Sequence, residues 1–384
     1  MANMIRRARG AMVTTAAVAV MAGGIVPAHA DRDAPPATDT RAEARPWSAR
    51  APRVTSLSWM VTEVESGRVL GAKNAHRPLP PASTLKALFA LTVLPKFRHD
   101  AVHRAEFEDL TDIEPGSSMV GMKEGVRYTV ADLWRGVFLA SGNDAVRALA
   151  RMNGGVPGTI AEMQATARRL GARDTVVKSA DGYDTPGQST SAHDLTLFAR
   201  AGLADPAFLG FASTKSAWFP AKRGKYSFGV QNTNRLLVGS HGVKPYEGLL
   251  GVKNGYTTHA GNTLVTAARR GGRTLIVSVM NPRDGGANAA YEETRALLDW
   301  GFAAPADAPA AGNLGPPAPA AAGPSPSASA APASRPPAEA AAAEPKSSLA
   351  LPLSLLGATL VALFVLRRRQ RGGRSGGWRG GRRV

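Results

Sequence analysis

From Leu57 to Val64 apolar and polar residues alternate, the two-residue period of a half-buried strand. Glu65-Ser66-Gly67-Arg68 reads as a turn, and Val69 to Ala72 as the returning strand. The period then changes. Over Ser83 to Lys96, Leu85, Leu88, Phe89 and Thr92 recur three and four apart, the buried face of a helix. Val130 to Ala140 and Asp144 to Ala150 predict two more helices, separated by Ser141-Gly142, and Ile160 to Leu170 and His193 to Gly202 predict others. Thr263 to Ala268 and Thr274 to Met280, flanking Arg269 to Arg273, predict a second hairpin, and Tyr291 to Trp300 a closing helix. Hairpins at both ends with helices between them predict an α+β fold, an antiparallel sheet covered by helices. The body, residues 54–302, has the size of one large domain. It holds no internal repeat and no glycine-rich phosphate loop.

Two further apolar runs show no such period. Ala11 to Val26 follows Arg6, Arg7 and Arg9 and ends in Pro27 and the small-x-small sequence Ala28-His29-Ala30. That is the pattern of a secretory signal peptide, residues 1–30, with an uncleaved anchor helix as the alternative. Leu349 to Leu366 is an uncharged run of 18 residues, about the minimum that spans a bilayer. Arg367, Arg368, Arg369 and Arg371 follow at once, and dense positive charge beside a span marks its cytoplasmic side. The expected product is a single-pass cell-membrane protein with its body outside the cytoplasm and residues 367–384 inside. Residues 31–53 are expected to form a disordered leader. Ala303 to Lys346, dominated by Ala and Pro, is expected to be an unfolded spacer. At ~3 Å per residue it would reach up to roughly 130 Å.

Charge changes meaning once it is located. The 384 residues carry a net charge of +18, but residues 1–10 hold three Arg and residues 367–384 hold eight. Removing those eleven from 47 leaves 36 basic against 29 acidic residues, a mild excess that suits an anionic wall or membrane surface. No basic face with interleaved aromatics appears, which argues against nucleic acid as a partner. There is no cysteine, so disulfides and thiolate metal sites are excluded. His76, His99, His103, His193, His241 and His259 are scattered, and neither a metal nor another cofactor is expected.

Three short stretches carry candidate chemistry. In Pro80-Pro81-Ala82-Ser83-Thr84-Leu85-Lys86, Ser83 and Lys86 stand three apart and share one side of a helix. A neutral lysine can take the proton of a serine nucleophile, and lysine is neutral only if desolvated or set near another cation. An N-cap serine beside a surface lysine is the simpler alternative. Ser141-Gly142-Asn143 offers a hydroxyl that can relay protons and an amide that can hold a carbonyl, or simply a helix cap. Lys253-Asn254-Gly255-Tyr256-Thr257, led in by Leu249-Leu250-Gly251-Val252, reads as a strand carrying a cation and a glycine that admits close backbone approach, or as an ordinary turn. Serine β-lactamases and penicillin-binding proteins carry S-x-x-K, S-D-N and K-T-G as a set. Here the three occur in that order, 58 residues from Ser83 to Ser141 and 112 from Ser141 to Lys253.

Over about residues 56–302 the chain resembles the low-molecular-mass penicillin-binding proteins that act as D-alanyl-D-alanine carboxypeptidases. The resemblance extends to Asp181-Gly182-Tyr183, to Ser189 through Leu195, to Asn232 through Leu237, and to Ala260-Gly261. It implies a β-lactamase/transpeptidase-like domain acting on peptidoglycan stem peptides, with β-lactams as inhibitors. It implies Ser83 as nucleophile and Lys86 as its base. Ser141 and Lys253 would pass the proton to the leaving amine, and Asn143 would position the acyl part. The backbone N–H groups of Ser83 and Tyr256, beside Gly255, would receive the oxyanion.

Two departures stand out. Asn254 replaces the family's usual threonine, whose hydroxyl helps hold the substrate carboxylate, and Arg283 is a candidate cationic partner for that carboxylate. No second β-rich domain precedes the Ala/Pro-rich segment. A class A β-lactamase is disfavoured, because the position of its deacylating glutamate holds Val177. A catalytically weak wall-binding or sensory protein remains the other reading.

Overall fold

A computed structural model describes residues 50–221, 227–284 and 286–315. The signal-peptide, membrane-span and tail expectations, and most of the leader and spacer, lie outside these residues. Among the described residues no helix is long and apolar enough to cross a membrane.

The first hairpin is β1, Ser58–Glu63, and β2, Arg68–Lys73. A 3-10 turn, Ala82–Leu85, runs into α1, Lys86–Val93. A small hairpin of β3, Val102–Arg104, and β4, Arg127–Thr129, precedes α2, Val130–Leu139, and α3, Asn143–Met152. Then come α4, Val156–Arg169, α5, Ala192–Leu203, and α6, Pro206–Ser213. A hairpin of β5, Ser216–Pro220, and β6, Ser227–Gln231, and the short α7, Arg235–Val238, lead to β7, Leu249–Thr257. The chain returns through β8, Gly261–Arg270, and β9, Arg273–Met280, to α8, Ala289–Ala303.

The main sheet is antiparallel, in the order β10-β2-β1-β9-β8-β7, with β10 at Gly312–Asn313. Its central strands are almost continuously apolar because both faces are covered. Trp59 and Val61, Leu264, and Leu275, Val277 and Val279 pack with Leu297, Leu298 and Trp300 of α8. The alternate residues Met60, Val265, Ile276 and Met280 belong to the larger core with Phe198 of α5 and Leu88 and Phe89 of α1. Two-residue periodicity thus sorts each strand between two helical layers.

Local chemistry sets the helix ends. Thr129 Oγ1 accepts the Asp132 N–H at 3.1 Å, and Asp132 Oδ2 accepts the Thr129 N–H at 3.1 Å, a capping box that starts α2 where the pattern predicts it. Asp205 caps α6 through the N–H groups of Ala207 and Phe208. The α6 helix and the β5–β6 hairpin were not anticipated from the pattern.

The expected unfolded spacer from Ala303 is corrected at its start. Ala304 and Ala308 are buried, the Ala311 N–H donates to Val69 O at 2.8 Å, and the Leu314 N–H donates to Gly67 O at 2.9 Å. Strand β2 would otherwise leave an open backbone edge, and these residues cover it irrespective of their composition.

Candidate active site

The turn carrying Ser83 is held on two sides by glycines. A Cβ at Gly255 on β7 would lie 2.6 Å from the Ser83 nitrogen, and a Cβ at Gly182 would lie 1.9 Å from the Ala82 carbonyl oxygen. Neither site admits a side chain, and Gly182 also has a φ of +88°. Pro81 O accepts from Thr263 Oγ1 of β8 at 3.0 Å, which pins the turn to the sheet. Ala82 itself has a φ of +47°, so the turn is conformationally strained beside the reacting atom.

Lys86 is buried, and its Nζ lies 2.8 Å from Ser83 Oγ and donates to Asp181 O at 2.8 Å. Burial lowers its pKa from 10.5 to about 8, against the opposing attraction of Asp181 and Asp144. The carbonyl aims the amine, and desolvation supplies the neutral form that can accept a proton from Ser83. Lys253 is also buried and donates to Asn254 O at 2.9 Å. Burial, and then the charge of Lys86, holds it well below the ordinary lysine value.

Ser141 has a φ of +59° and is buried. Its Oγ has no hydrogen-bond partner among the described residues, nor has Asn143 Oδ1. Asn143 Nδ2 donates to Ser117 Oγ at 3.0 Å, and its backbone N–H donates to Ser118 O at 2.8 Å. Two buried, unpartnered polar atoms at the start of α3 are groups that a substrate can satisfy.

The loop carrying Ser117 and Ser118 is held by Asp144. Its buried carboxylate accepts the N–H groups of Val120, Gly121 and Met122 at 3.0, 2.8 and 3.0 Å. Gly142 must be small, since a Cβ there would lie 2.7 Å from Asp144 Oδ1.

A cleft of about 170 Å³ opens over this group, lined by Ser83, Ser117, Ser118, Asn143, Tyr183 and Tyr256 among others. Lys86, whose Nζ meets Ser83 Oγ, is buried, as are Ser141 and Lys253. Among the described residues strand β7 is the outer strand of the sheet, and its edge away from β8 has no strand partner there. Asn254 is half-buried. Its Oδ1 accepts from Thr233 Oγ1 at 3.0 Å, and its side chain also meets the hydroxyl of Tyr291, whose pKa burial pushes up.

Arg283 is exposed, and its backbone N–H is held by Thr55 Oγ1 at 3.0 Å on the approach to β1. The structure adds Asp181, Ser117, Ser118, Thr233 and Asp144. Of these, Asp181 and Thr233 stood inside stretches already noted, and Asp144 began a predicted helix. Ser117 and Ser118 carried no signal of their own.

Residues 45–284 match the D-alanyl-D-alanine carboxypeptidase family. The chain belongs to that family. It is 37% identical over 260 residues to the D-alanyl-D-alanine carboxypeptidase DacB2 of Mycobacterium tuberculosis, covering 67% of this chain and 85% of that one. A crystal structure of a D-alanyl-D-alanine carboxypeptidase from the same organism superposes with a TM-score of 0.64 at 36% identity, covering 70% of this chain and 98% of the other. A Streptomyces DD-transpeptidase superposes with a TM-score of 0.62 at 27% identity, over 67% and 100% of the two chains. Family membership accounts for the order of the three motifs and for the α+β fold that brings them to one cleft.

Proposed function

We propose that this protein is a serine-type D-alanyl-D-alanine carboxypeptidase that trims the terminal D-alanine from peptidoglycan stem peptides. The observation that carries the reading is the buried Lys86 Nζ, 2.8 Å from Ser83 Oγ and with its pKa lowered to about 8. The stem peptide adds along the open edge of β7, where backbone hydrogen bonds can hold it as an extra strand. Lys86 takes the Ser83 proton as Oγ attacks the carbonyl of the penultimate D-alanine. The N–H groups of Ser83 and Tyr256 receive the oxyanion. A proton passes through Ser141 and Lys253 to the leaving nitrogen, the C–N bond breaks, and D-alanine departs. Water then adds to the Ser83 ester, giving its proton back through Lys86, and the shortened peptide leaves.

The body works outside the cytoplasm, tethered by residues 349–366 through the Ala/Pro-rich spacer, with the Arg-rich tail inside. The signal-like residues 1–30 and the sign of the flanking charge support this placement. β-Lactams acylate the same serine and block it. The Streptomyces relative bears the name of a transpeptidase, and transfer differs only in an amine replacing water.

Two assays on one preparation test the reading. Release of D-alanine from a peptide ending in two D-alanines is expected, as is one covalent penicillin per chain that Ser83→Ala abolishes. An adduct that persists in Ser83→Ala would reject the nucleophile. Acylation without any D-alanine release would leave a wall-binding or sensory protein instead.

A further inference from the structure

Away from the cleft, His76 meets two side chains from distant parts of the chain. Its Nδ1 lies 2.9 Å from Asp174 Oδ2, and its ring centroid lies 4.3 Å from that of His193. One donor atom from each of the three lies within 4.8 Å of the other two. The sequence, in which these residues are far apart, suggested no such group.

The surroundings orient two of the three. Asp194 Oδ1 lies 3.0 Å from His193 Nδ1, and Asp194 Oδ2 is buried under the Thr175 hydroxyl and the Asp174 N–H at 2.7 and 2.8 Å. A carboxylate has no hydrogen to give, so Nδ1 carries the ring hydrogen and Nε2 of the neutral imidazole keeps a lone pair. A carboxylate behind a histidine in this way is how proteins orient metal-binding imidazoles. Asp174 is braced as well, accepting from Ser191 Oγ at 2.8 Å.

We propose that His76, Asp174 and His193 form a binding site for a divalent transition-metal ion, zinc foremost, that clamps the segment leading to Ser83 against the loop that holds Lys86. Two imidazoles and one carboxylate suit zinc, copper or nickel. Magnesium and calcium take sets of oxygens. Three protein ligands leave a position for water, the pattern of an open zinc site. With bonds of about 2.0–2.2 Å, donors on one zinc ion stand roughly 3–4 Å apart. His76 and Asp174 are already that close, and the His76 side chain, 51% exposed, can turn to complete the set. Asp174 and His193 are 21% and 20% exposed, so an ion can enter from solvent and still be partly shielded.

The site spans two segments that meet at the nucleophile. Leu79 and Thr190 exchange backbone hydrogen bonds of 2.8 and 2.9 Å between them. One segment continues to Ser83, and the other carries Asp181, whose carbonyl aims Lys86. An ion on His76, Asp174 and His193 would fasten the same two segments at their outer end without touching substrate.

The test titrates zinc chloride alone into the full chain after chelator treatment, by calorimetry and thermal melting. One saturable equivalent and a rise in Tm of several degrees are expected, with the binding constant weakened at least tenfold in both His76→Ala and His193→Ala. His76 is half exposed, so His76→Ala should fold. Penicillin acylation in each variant reports an intact domain and separates this proposal from the catalytic one. Absence of saturable binding, unchanged affinity in His76→Ala and His193→Ala, or an equal rise in Tm with magnesium would each overturn the site.

Discussion

A Cβ at Gly255 would sit 2.6 Å from the backbone nitrogen of Ser83, so strand β7 and the turn carrying Ser83 are in direct backbone contact. The nearest atoms also include Thr263 Oγ1 and Ala82 Cβ, so nothing there is the far end of a flexible chain. Gly255→Ala must therefore push β7 from Ser83. A displacement of about 1 Å costs on the order of 100-fold in rate. We expect penicillin acylation of Gly255→Ala to fall at least that far while near-UV circular dichroism stays native. Acylation within about threefold of the parent would mean that the contact yields freely.

The pKa of Lys86 near 8, set first by burial, gives a signed pH dependence. With the neutral amine as the proposed base, the acylation rate should rise about tenfold per pH unit below pH ~8 and level off above it. Lys86→Arg should abolish acylation, because arginine keeps its proton. The same shift acts on stability. Between the folded value of about 8 and the ordinary 10.5 the unfolded chain binds more protons than the folded one, so stability rises with pH across that window. Below it the penalty is full, on the order of 3 kcal/mol. The difference in urea midpoint between the parent and Lys86→Met should therefore shift in the parent's favour as pH rises from 8 toward 10.

Asp144 ties Val120, Gly121 and Met122 to the start of α3 and so holds Ser117 and Ser118 against Asn143. Asp144→Ala leaves buried N–H groups without an acceptor. We expect a loss of ~2–4 kcal/mol in urea unfolding, and weaker penicillin binding before acylation. Unfolding unchanged to within about 0.5 kcal/mol would show that the loop keeps its place unaided.

The proposed catalytic groups that were legible in the sequence are those whose side-chain type and local spacing carry the chemistry. Ser83 and Lys86 share one turn, and Ser141, Asn143 and Lys253 sit in short motifs. Strand β1 was legible from its alternation, β8 and β9 as a hairpin around Arg269 to Arg273, and α2 from the run Val130 to Ala140. Asp181 was different, because it acts through its carbonyl, which any residue has. Residues 304–315 were misjudged for a related reason, since backbone hydrogen bonds to β2 do not depend on side chains. His76, Asp174 and His193 converge only after folding.

The proposed topology can be read by proteolysis. Protease added to intact protoplasts should release a soluble, penicillin-binding body by cutting within residues 316–346, while the Arg-rich tail stays protected. Loss of the tail with retention of the body on the membrane would reverse the orientation.

Asn254 stands where the resemblance expects a threonine, and its side chain is engaged by Thr233 and Tyr291. An amide differs from a hydroxyl in reach and direction, so the carboxylate of a D-alanyl-D-alanine end meets a displaced partner. A strained β-lactam ring tolerates such displacement better than a peptide does. We therefore expect slow D-alanine release beside near-normal penicillin acylation. Asn254→Thr should raise kcat/KM on a peptide ending in two D-alanines about tenfold or more, equal to ~1.4 kcal/mol of transition-state stabilisation. Acylation should change by less than about threefold, because Ser83, Lys86 and the N–H of Tyr256 are untouched. The check is steady-state D-alanine release by both proteins, with Thr233→Ala as a third. Thr233→Ala frees Asn254 Oδ1 without adding a hydroxyl, so it should not reproduce the gain. A slower Asn254→Thr enzyme would make Asn254 an adapted substrate contact, and the Thr233–Asn254 hydrogen bond would then be what positions it.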